Sequence, residues 1–398
     1  MIEISRLVSS LAPSQTLAMS QKSAELRARG VDVINLSLGE PDFPTPAHIK
    51  EAAKSAIDND FTFYTPVPGY MSLREAIAKD LQRHPGSTFT AEDIVVSNGA
   101  KQSLCNAMLA ILNPGDEVLI PAPAWVSYSE MVKLTGATSV TVMAGIESDF
   151  KLTPKALENA ITDKTRMIVL TSPSNPTGSV YTADELRGLV DVLVRHPRVI
   201  VLADEIYEHI NFTGKFTSMA TFDELRDRVV IINGVSKAYA MTGWRIGYMA
   251  APRELAKAAT KLQSQYTSNP SSIAQKAAEA AYTGPQDCVA EMCAAFRRRR
   301  DLVVSLAREI PGWEVNMPMG AFYLFPRVEG CLGKTSPDGR KILTSGDLAL
   351  YLLEVGHVAT VDGAAFAAPG YLRLSYATSY DKLREALARI RRCVEALA

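Results

Sequence analysis

An α/β fold is what this sequence predicts: a mostly parallel sheet covered by helices on both faces, with a smaller α+β domain beside it. Three observations carry that expectation. Short, continuously apolar runs recur at 94–97, 118–120, 140–142, 167–170, 199–202 and 229–232, without the alternation of a half-exposed strand. Helical patterns such as 102–112 and 182–193 separate most of them. Towards the C-terminus the texture changes to a long helix, isolated strands and a polar loop. At 398 residues the chain is also too long for one core. The division expected is a large domain at 45–290 and a small one formed by 1–44 and 291–398.

The elements follow in order. A helix over 20–29 leads to a short strand over 31–36 and then to Gly39-Glu40-Pro41-Asp42-Phe43-Pro44-Thr45-Pro46, a rigid proline-rich crossing. Helices over 47–57 and 73–82 flank Phe61 to Pro66. The alternating region then runs to Ile232. A helix over 289–310 carries Arg297-Arg298-Arg299-Arg300, expected along an exposed face with its stems over apolar surface. Gly320 to Phe325, a polar loop at 330–340, a helix near 347–354, a strand over 371–376 and a terminal helix complete the chain.

Bulk composition excludes several classes of function. Lys and Arg number 42 against 43 for Asp and Glu, a net charge of -1, which argues against non-specific affinity for nucleic acid or anionic membrane. Cys105, Cys288, Cys293, Cys331 and Cys393 form no CxxC pair and no spacing with His suited to zinc. No metal site is expected, and a reduced, cytoplasmic protein is the simplest reading. The first twenty residues lack the apolar core of a signal or a membrane span.

In an open α/β sheet, ligands gather outside the carboxyl ends of the strands, and the unusual residues fall there repeatedly. After 94–97 come Asn98-Gly99-Ala100-Lys101-Gln102, small residues opening a helix whose free N–H groups suit phosphate. Beyond 118–120, Pro121-Ala122-Pro123-Ala124-Trp125 presents an aromatic face. Two prolines and a glycine in Ser172-Pro173-Ser174-Asn175-Pro176-Thr177-Gly178 fix a loop that can aim the Asn175 amide. Asp204-Glu205-Ile206-Tyr207 puts an acid at a buried strand tip, which is costly without a cation or ligand. Past 229–232 stands Ser236-Lys237-Ala238-Tyr239-Ala240-Met241-Thr242-Gly243-Trp244-Arg245-Ile246-Gly247-Tyr248. A lysine losing hydration in such a loop favours its neutral form, able to condense with an aldehyde. Each feature alone could equally be a turn, a core tryptophan, an exposed lysine or an ion pair. Together on one rim, they are the parts needed to hold pyridoxal phosphate.

The blocks SPSNPTG, ADEIYEH, SKAYAMTGWRIGY and YLRLSYAT resemble the signatures of class I pyridoxal-phosphate aminotransferases of fold type I. PSQTLA, GEPDFPTP, YTPVPG, GAKQSL and WVSYSEMVK are most similar to the bacterial aspartate aminotransferase branch that includes aspartate/prephenate aminotransferases. The resemblance runs along essentially the whole chain. It implies a seven-stranded sheet, pyridoxal 5′-phosphate as cofactor, and a ping-pong aminotransferase acting on an L-amino acid, aspartate first, and a 2-oxo acid such as 2-oxoglutarate. Lys237 would form the Schiff base with the cofactor and then shuttle a proton. Asp204 would pair with the pyridine nitrogen, Asn175 and Tyr207 would bond the ring oxygen, and Trp125 would stack on the ring. Gly99, Ala100, Lys101, Ser236 and Arg245 would hold the phosphate, joined by Tyr64 and Ser268 of a second subunit, which implies a homodimer with shared active sites.

Arg373 also stands on its own argument. Alternation in Tyr371-Leu372-Arg373-Leu374-Ser375-Tyr376 sets Arg373 and Ser375 on the face opposite Leu372, Leu374 and Tyr376. No acid lies in the run, so the partner is a distant acid or a ligand. The resemblance makes Arg373 the clamp for the substrate α-carboxylate, assisted by the Gly39 backbone, and gives Lys101, Ser14 and Thr16 the distal carboxylate. Ala124 and Asn269-Pro270-Ser271 depart from the branch, which leaves aromatic or prephenate preference, or a lyase on the same scaffold, as alternatives. A nicotinamide dehydrogenase would need GxGxxG, which is missing, and Val328 occupies the first glycine position of the P-loop-like Gly333-Lys334-Thr335.

Overall fold

The computed structural model describes residues 2–12 and 15–398, the side chains of 15–17 excepted. Its strands are β1 (Ile34–Asn35), β2 (Ile94–Ser97), β3 (Glu117–Ala122), β4 (Thr138–Met143), β5 (Thr165–Thr171) and β6 (Ile200–Asp204). Then come β7 (Val229–Gly234), β8 (Gly247–Ala250), β9 (Tyr323–Leu324), β10 (Val358–Ala359), β11 (Val361–Asp362) and β12 (Leu372–Ser375). The main sheet has seven strands in the order β2-β8-β7-β6-β5-β3-β4. Strands β7, β6, β5, β3 and β4 run parallel, and β8 runs antiparallel to both its neighbours, β7 and β2. The fold class is therefore the α/β arrangement the apolar runs predict. Strand β8 is the one that no apolar run announces.

Period-two geometry explains why these strands are apolar throughout. Along β7, Val229 and Ile231 enter one core while Val230 and Ile232 enter the core on the opposite face. The first core is closed by helices Ala47–Asp58, Met71–Leu81, Ala183–Val194 and Ser272–Thr283. The second is closed by Ala100–Ile111, Ser127–Thr135 and Arg253–Tyr266. Helix Ala183–Val194 starts where the sequence dictates: Thr182 and Glu185 form a reciprocal capping box.

A separate core gathers around the small antiparallel sheet β11-β12-β9. Helices Asp287–Ala307, Ser345–Glu354 and Tyr380–Glu395 pack there, and β1 pairs in parallel with β10 beside it. Tyr207, Ile210 and Phe212, from the turn after β6, also enter this core. The end of β6 is thereby pinned between two packed bodies.

The arginine run departs from its expected exposure. Arg297 and Arg298 are exposed, but Arg299 pairs with Asp42 at 2.6 Å and lies over the Phe43 and Phe296 rings. Arg300 is buried over Phe212 and donates to the Pro318 carbonyl. Helical periodicity is the cause, because Arg300 shares a face with Phe296 and Val303. Among the described residues no helix is long and apolar enough to cross a membrane.

Candidate active site

The loop after β7 is held by close backbone contact. A Cβ on Gly234 would lie 2.6 Å from the Gly247 Cα, so neither position tolerates a side chain. Val235, Ala238, Tyr239 and Met241 are buried around the loop, which leaves Lys237 to point the other way. Its amine donates to the Gly39 carbonyl at 2.5 Å and lies 5.8 Å from the centre of the Tyr207 ring. Loss of water lowers the amine pKa to about 8, Glu40 opposes that shift, and Arg373 and Arg245 add to it. An appreciable fraction of this lysine is neutral, and hence nucleophilic, near neutral pH.

Asp204 ends β6 as a buried carboxyl with no cationic side chain in ion-pair contact among the described residues. The Tyr128 hydroxyl donates to it at 2.7 Å and touches Thr171 Oγ1 at 2.8 Å, while the Ile206 N–H donates at 3.3 Å. Burial still pushes the carboxyl above its ordinary range, which marks an acid that a ligand cation would ionise. On the far side of the same turn, Glu208 is buried against Arg83, His84 and Asn233, and Glu205 accepts from Ser218 and the Met219 N–H. Sequence spacing gave no hint of this grouping.

Helix Ala100–Ile111 opens on Gly99 at φ +84, with no side chain capping its N–H groups. A Cβ on Gly99 would overlap the Arg245 guanidinium, and one on Gly247 would overlap the Ala100 N. Both glycines are therefore what lets Arg245 sit against the helix N-terminus. Arg245 itself holds φ +57 and donates to the Thr242 and Asn98 carbonyls. Ser236 lines the same corner. Uncapped N–H groups, a hydroxyl and a guanidinium converging on a cavity form an anion cradle.

Arg373 is buried on β12 without a carboxylate partner among the described residues. It donates to the Ser37 carbonyl at 2.7 Å and to Asn175 Oδ1 at 3.0 Å, and its Nε has no partner. The guanidinium carbon lies 4.6 Å from the centre of the Tyr323 ring and 5.0 Å from that of Phe366. The distant-acid alternative finds no acid here. A cation held by neutral groups at a cavity wall is built for an anionic ligand.

One cavity of about 370 Å³ joins these groups, within the ~300–1,000 Å³ usual for small-molecule sites. Gly39, Ala100, Lys101, Trp125, Asn175, Asp204, Tyr207, Ser236, Lys237, Arg245 and Arg373 all line it, as do Glu40, Thr242, Tyr128 and Tyr323. Lys101 places its amine 4.7 Å from the centre of the Trp125 ring; lost water and Arg245 lower its pKa. Tyr64 is 92% exposed and lies outside the cavity wall. Ser14 and the side chain of Thr16 fall outside the described residues. Ala124 borders a separate cleft of about 20 Å³ with Tyr128 and Asn175. Tyr128 and Tyr323 are among the lining residues the sequence reading missed. Their spacing looks like ordinary core, and only the position of each hydroxyl distinguishes them.

A phosphorylated pyridine aldehyde fits this donor set: a cradle for its phosphate, an acid short of a cation, an indole wall and an enclosed amine. Comparisons with known proteins identify the family. The family model described as aminotransferase class I and II matches residues 31–390. An aspartate/prephenate aminotransferase of Cereibacter sphaeroides is 52% identical, over 97% of both chains. An aspartate aminotransferase of Rhizobium meliloti is 48% identical, over 96% of this chain and 94% of that one. Among solved structures, the aspartate aminotransferase from Rhizobium meliloti superposes with a TM-score of 0.97 at 46% identity and full coverage of both chains. The Thermus thermophilus aspartate aminotransferase with maleate gives 0.92 at 41%, covering 99% of this chain and 100% of that one.

Proposed function

Since this chain belongs to the class I and II aminotransferases, we propose that it transfers the amino group of L-aspartate to a 2-oxo acid such as 2-oxoglutarate, using pyridoxal 5′-phosphate. The observation that carries this reading is the meeting, in one cavity, of an enclosed lysine with an acid that has no cation, and an arginine that has no acid, among the described residues. The names of the Cereibacter and Rhizobium relatives support aspartate as donor, and the first supports prephenate as a second acceptor.

When bound, the cofactor supplies an electrophilic carbon for amines and a ring that withdraws electrons from the substrate Cα. Everything else falls to the chain. Asp204, fixed by Tyr128, holds a proton on the ring nitrogen and so keeps the ring electron-poor. Asn175 and Tyr207 donate to the ring oxygen, and Trp125 covers one face. The helix N-terminus at Gly99-Ala100-Lys101, with Ser236 and Arg245, anchors the phosphate. Arg373 takes the α-carboxylate by its two-pronged fork, which orients the Cα–H bond toward Lys237. Lys237, once its amine is free, would accept that proton and later return it. Lys101 is placed to meet the distal carboxylate, with Ser14 and Thr16 assisting. The same residues serve both half-reactions of a ping-pong cycle.

Tyr64 and its neighbour Phe63 are strongly exposed and turned away from their own cavity, which supports a homodimer in which Tyr64 and Ser268 complete the partner's phosphate site. We assign 45–290 as the cofactor-holding domain, and 1–44 with 291–398 as the one that closes over substrate and excludes water. The test is a set of single-turnover half-reactions with aspartate, glutamate, alanine and aromatic donors, and with prephenate as an acceptor. Aspartate is expected to react with the highest kcat/KM. Spectral silence toward every donor would end the transaminase reading, and a faster reaction with alanine would end the dicarboxylate reading.

A further inference from the structure

We propose that Tyr323 is a positioning residue that ties occupancy of the α-carboxylate site at Arg373 to the strength of Tyr207 as a hydrogen-bond donor. This rests on the reading above, that the cavity holds pyridoxal phosphate with Tyr207 at the ring oxygen.

The geometry links three segments through one phenol. Tyr323 is fully buried on β9, opposite Ser375 of β12 and two residues from the position of Arg373 in that strand. Its hydroxyl lies 2.8 Å from that of Tyr207. Its ring carries the Arg373 guanidinium at 4.6 Å. Gly39 completes the enclosure, because a Cβ there would lie 2.8 Å from the Tyr323 hydroxyl oxygen.

A phenol has a single hydrogen to give, so the bond between the two tyrosines has a direction. If Tyr207 donates to Tyr323, it meets the cavity only as an acceptor. If Tyr323 donates, the Tyr207 hydrogen is free for the cavity, and donation from behind polarises it into a stronger donor. The surrounding charges favour the second arrangement. Burial raises both phenols and Arg373 acts on both in the acidic direction, but the guanidinium lies over the Tyr323 ring at 4.6 Å and no acid opposes it there, whereas at Tyr207 the Tyr323 hydroxyl and Asp204 oppose it. Lys237 also faces the Tyr207 ring, at 5.8 Å.

A carboxylate arriving on Arg373 cancels the positive charge over Tyr323, weakens its donation, and so weakens Tyr207 toward the ring oxygen. Weaker donation to an oxygen that is most negative in the deprotonated chromophore raises the pH at which the bound cofactor loses its proton. Substrate binding is thereby read out at the ring through a path separate from the direct Arg373–Asn175 bond.

The experiment is a visible-absorbance pH titration of the cofactor-loaded protein, with and without maleate as an unreactive dicarboxylate. In the wild type, maleate raises the midpoint. Y323F without maleate titrates higher than wild type by about 0.3–0.6 pH unit, the share of a charge-assisted hydrogen bond that cooperativity supplies. The rise caused by maleate is smaller in Y323F. G39A keeps the phenol but pushes its oxygen off Tyr207, so it reproduces the Y323F shift and serves if Y323F folds poorly. In a Y207F background, Y323F adds nothing. Wild-type midpoints in both Y323F and G39A, or an equal Y323F shift with Tyr207 already replaced, would overturn the proposal. Absence of cofactor absorbance in the wild type would instead overturn the reading it rests on.

Discussion

Arg373→Met separates a ligand-binding arginine from a structural one, because the two kinds respond in opposite ways. Removing one member of a buried ion pair strands the other charge and costs roughly 3–5 kcal/mol. Arg373 has no such partner among the described residues: its hydrogen bonds go to the Ser37 carbonyl and the Asn175 amide oxygen, and its Nε goes unused. Losing those two charge-assisted bonds costs about 1.5–3 kcal/mol each, and losing the contacts with Tyr323 and Phe366 about 0.5–1 kcal/mol each. Against this stands relief of a buried cation's desolvation, itself several kcal/mol. The opposing contributions leave the cofactor-free protein within about 2 kcal/mol of wild type.

Catalysis is a different matter. Truncating one side of a buried, hydrogen-bonded charge pair costs about 2–5 kcal/mol, so kcat/KM for aspartate falls roughly 30-fold to several thousand-fold. Denaturant unfolding of the cofactor-free protein measures the first quantity, and initial rates on the loaded enzyme measure the second. Maleate is expected to raise the melting temperature of the wild type, by binding the folded state, and to leave the variant unshifted. A variant destabilised by more than about 3 kcal/mol that still binds maleate would refute the reasoning, since it would mean that Arg373 answers a structural acid.

Further outcomes follow from the same geometry. Attachment of the cofactor to the empty protein proceeds through the neutral Lys237 amine, so its rate climbs with pH and levels off above the lysine pKa of about 8; a rate still climbing at pH 10 would put that amine in water. Borohydride trapping then labels Lys237, and Lys237→Ala loses multiple turnover while keeping the phosphate cradle. Tyr128→Phe removes the donor on Asp204, raising that carboxyl further and weakening cofactor binding about tenfold; unchanged affinity by equilibrium dialysis would show that Tyr128 merely packs. Lys101→Ala raises KM for aspartate about 10–100-fold more than KM for alanine, the loss of one charged contact; equal effects would remove Lys101 from substrate recognition.

What was legible in the sequence, and what was not, follows from how each feature is encoded. Strands such as β7 announce themselves because both faces are buried, which forces four β-branched residues in succession. Strand β8 starts at a glycine and overlaps the end of the Ser236–Tyr248 block, so composition hides it, although its insertion between β2 and β7 is what brings Arg245 against Gly99. Arg373 was visible because a charge in an apolar strand demands an explanation. The buried Arg300 could have been found in the same way, by extending the helical stripe from Phe296 to Val303. Tyr128 and Tyr323 have no such signature. An aromatic at a core position satisfies the periodicity whether its hydroxyl is inert or pointed at Asp204 or Tyr207, and that direction is fixed by packing between segments far apart in the chain. Sequence reading therefore finds charges that burial makes costly, and passes over neutral hydroxyls that burial tolerates once they are paired. In this site Tyr128 holds Asp204, and Tyr323 holds Tyr207. The positioning residues are accordingly the ones to look for in the structure.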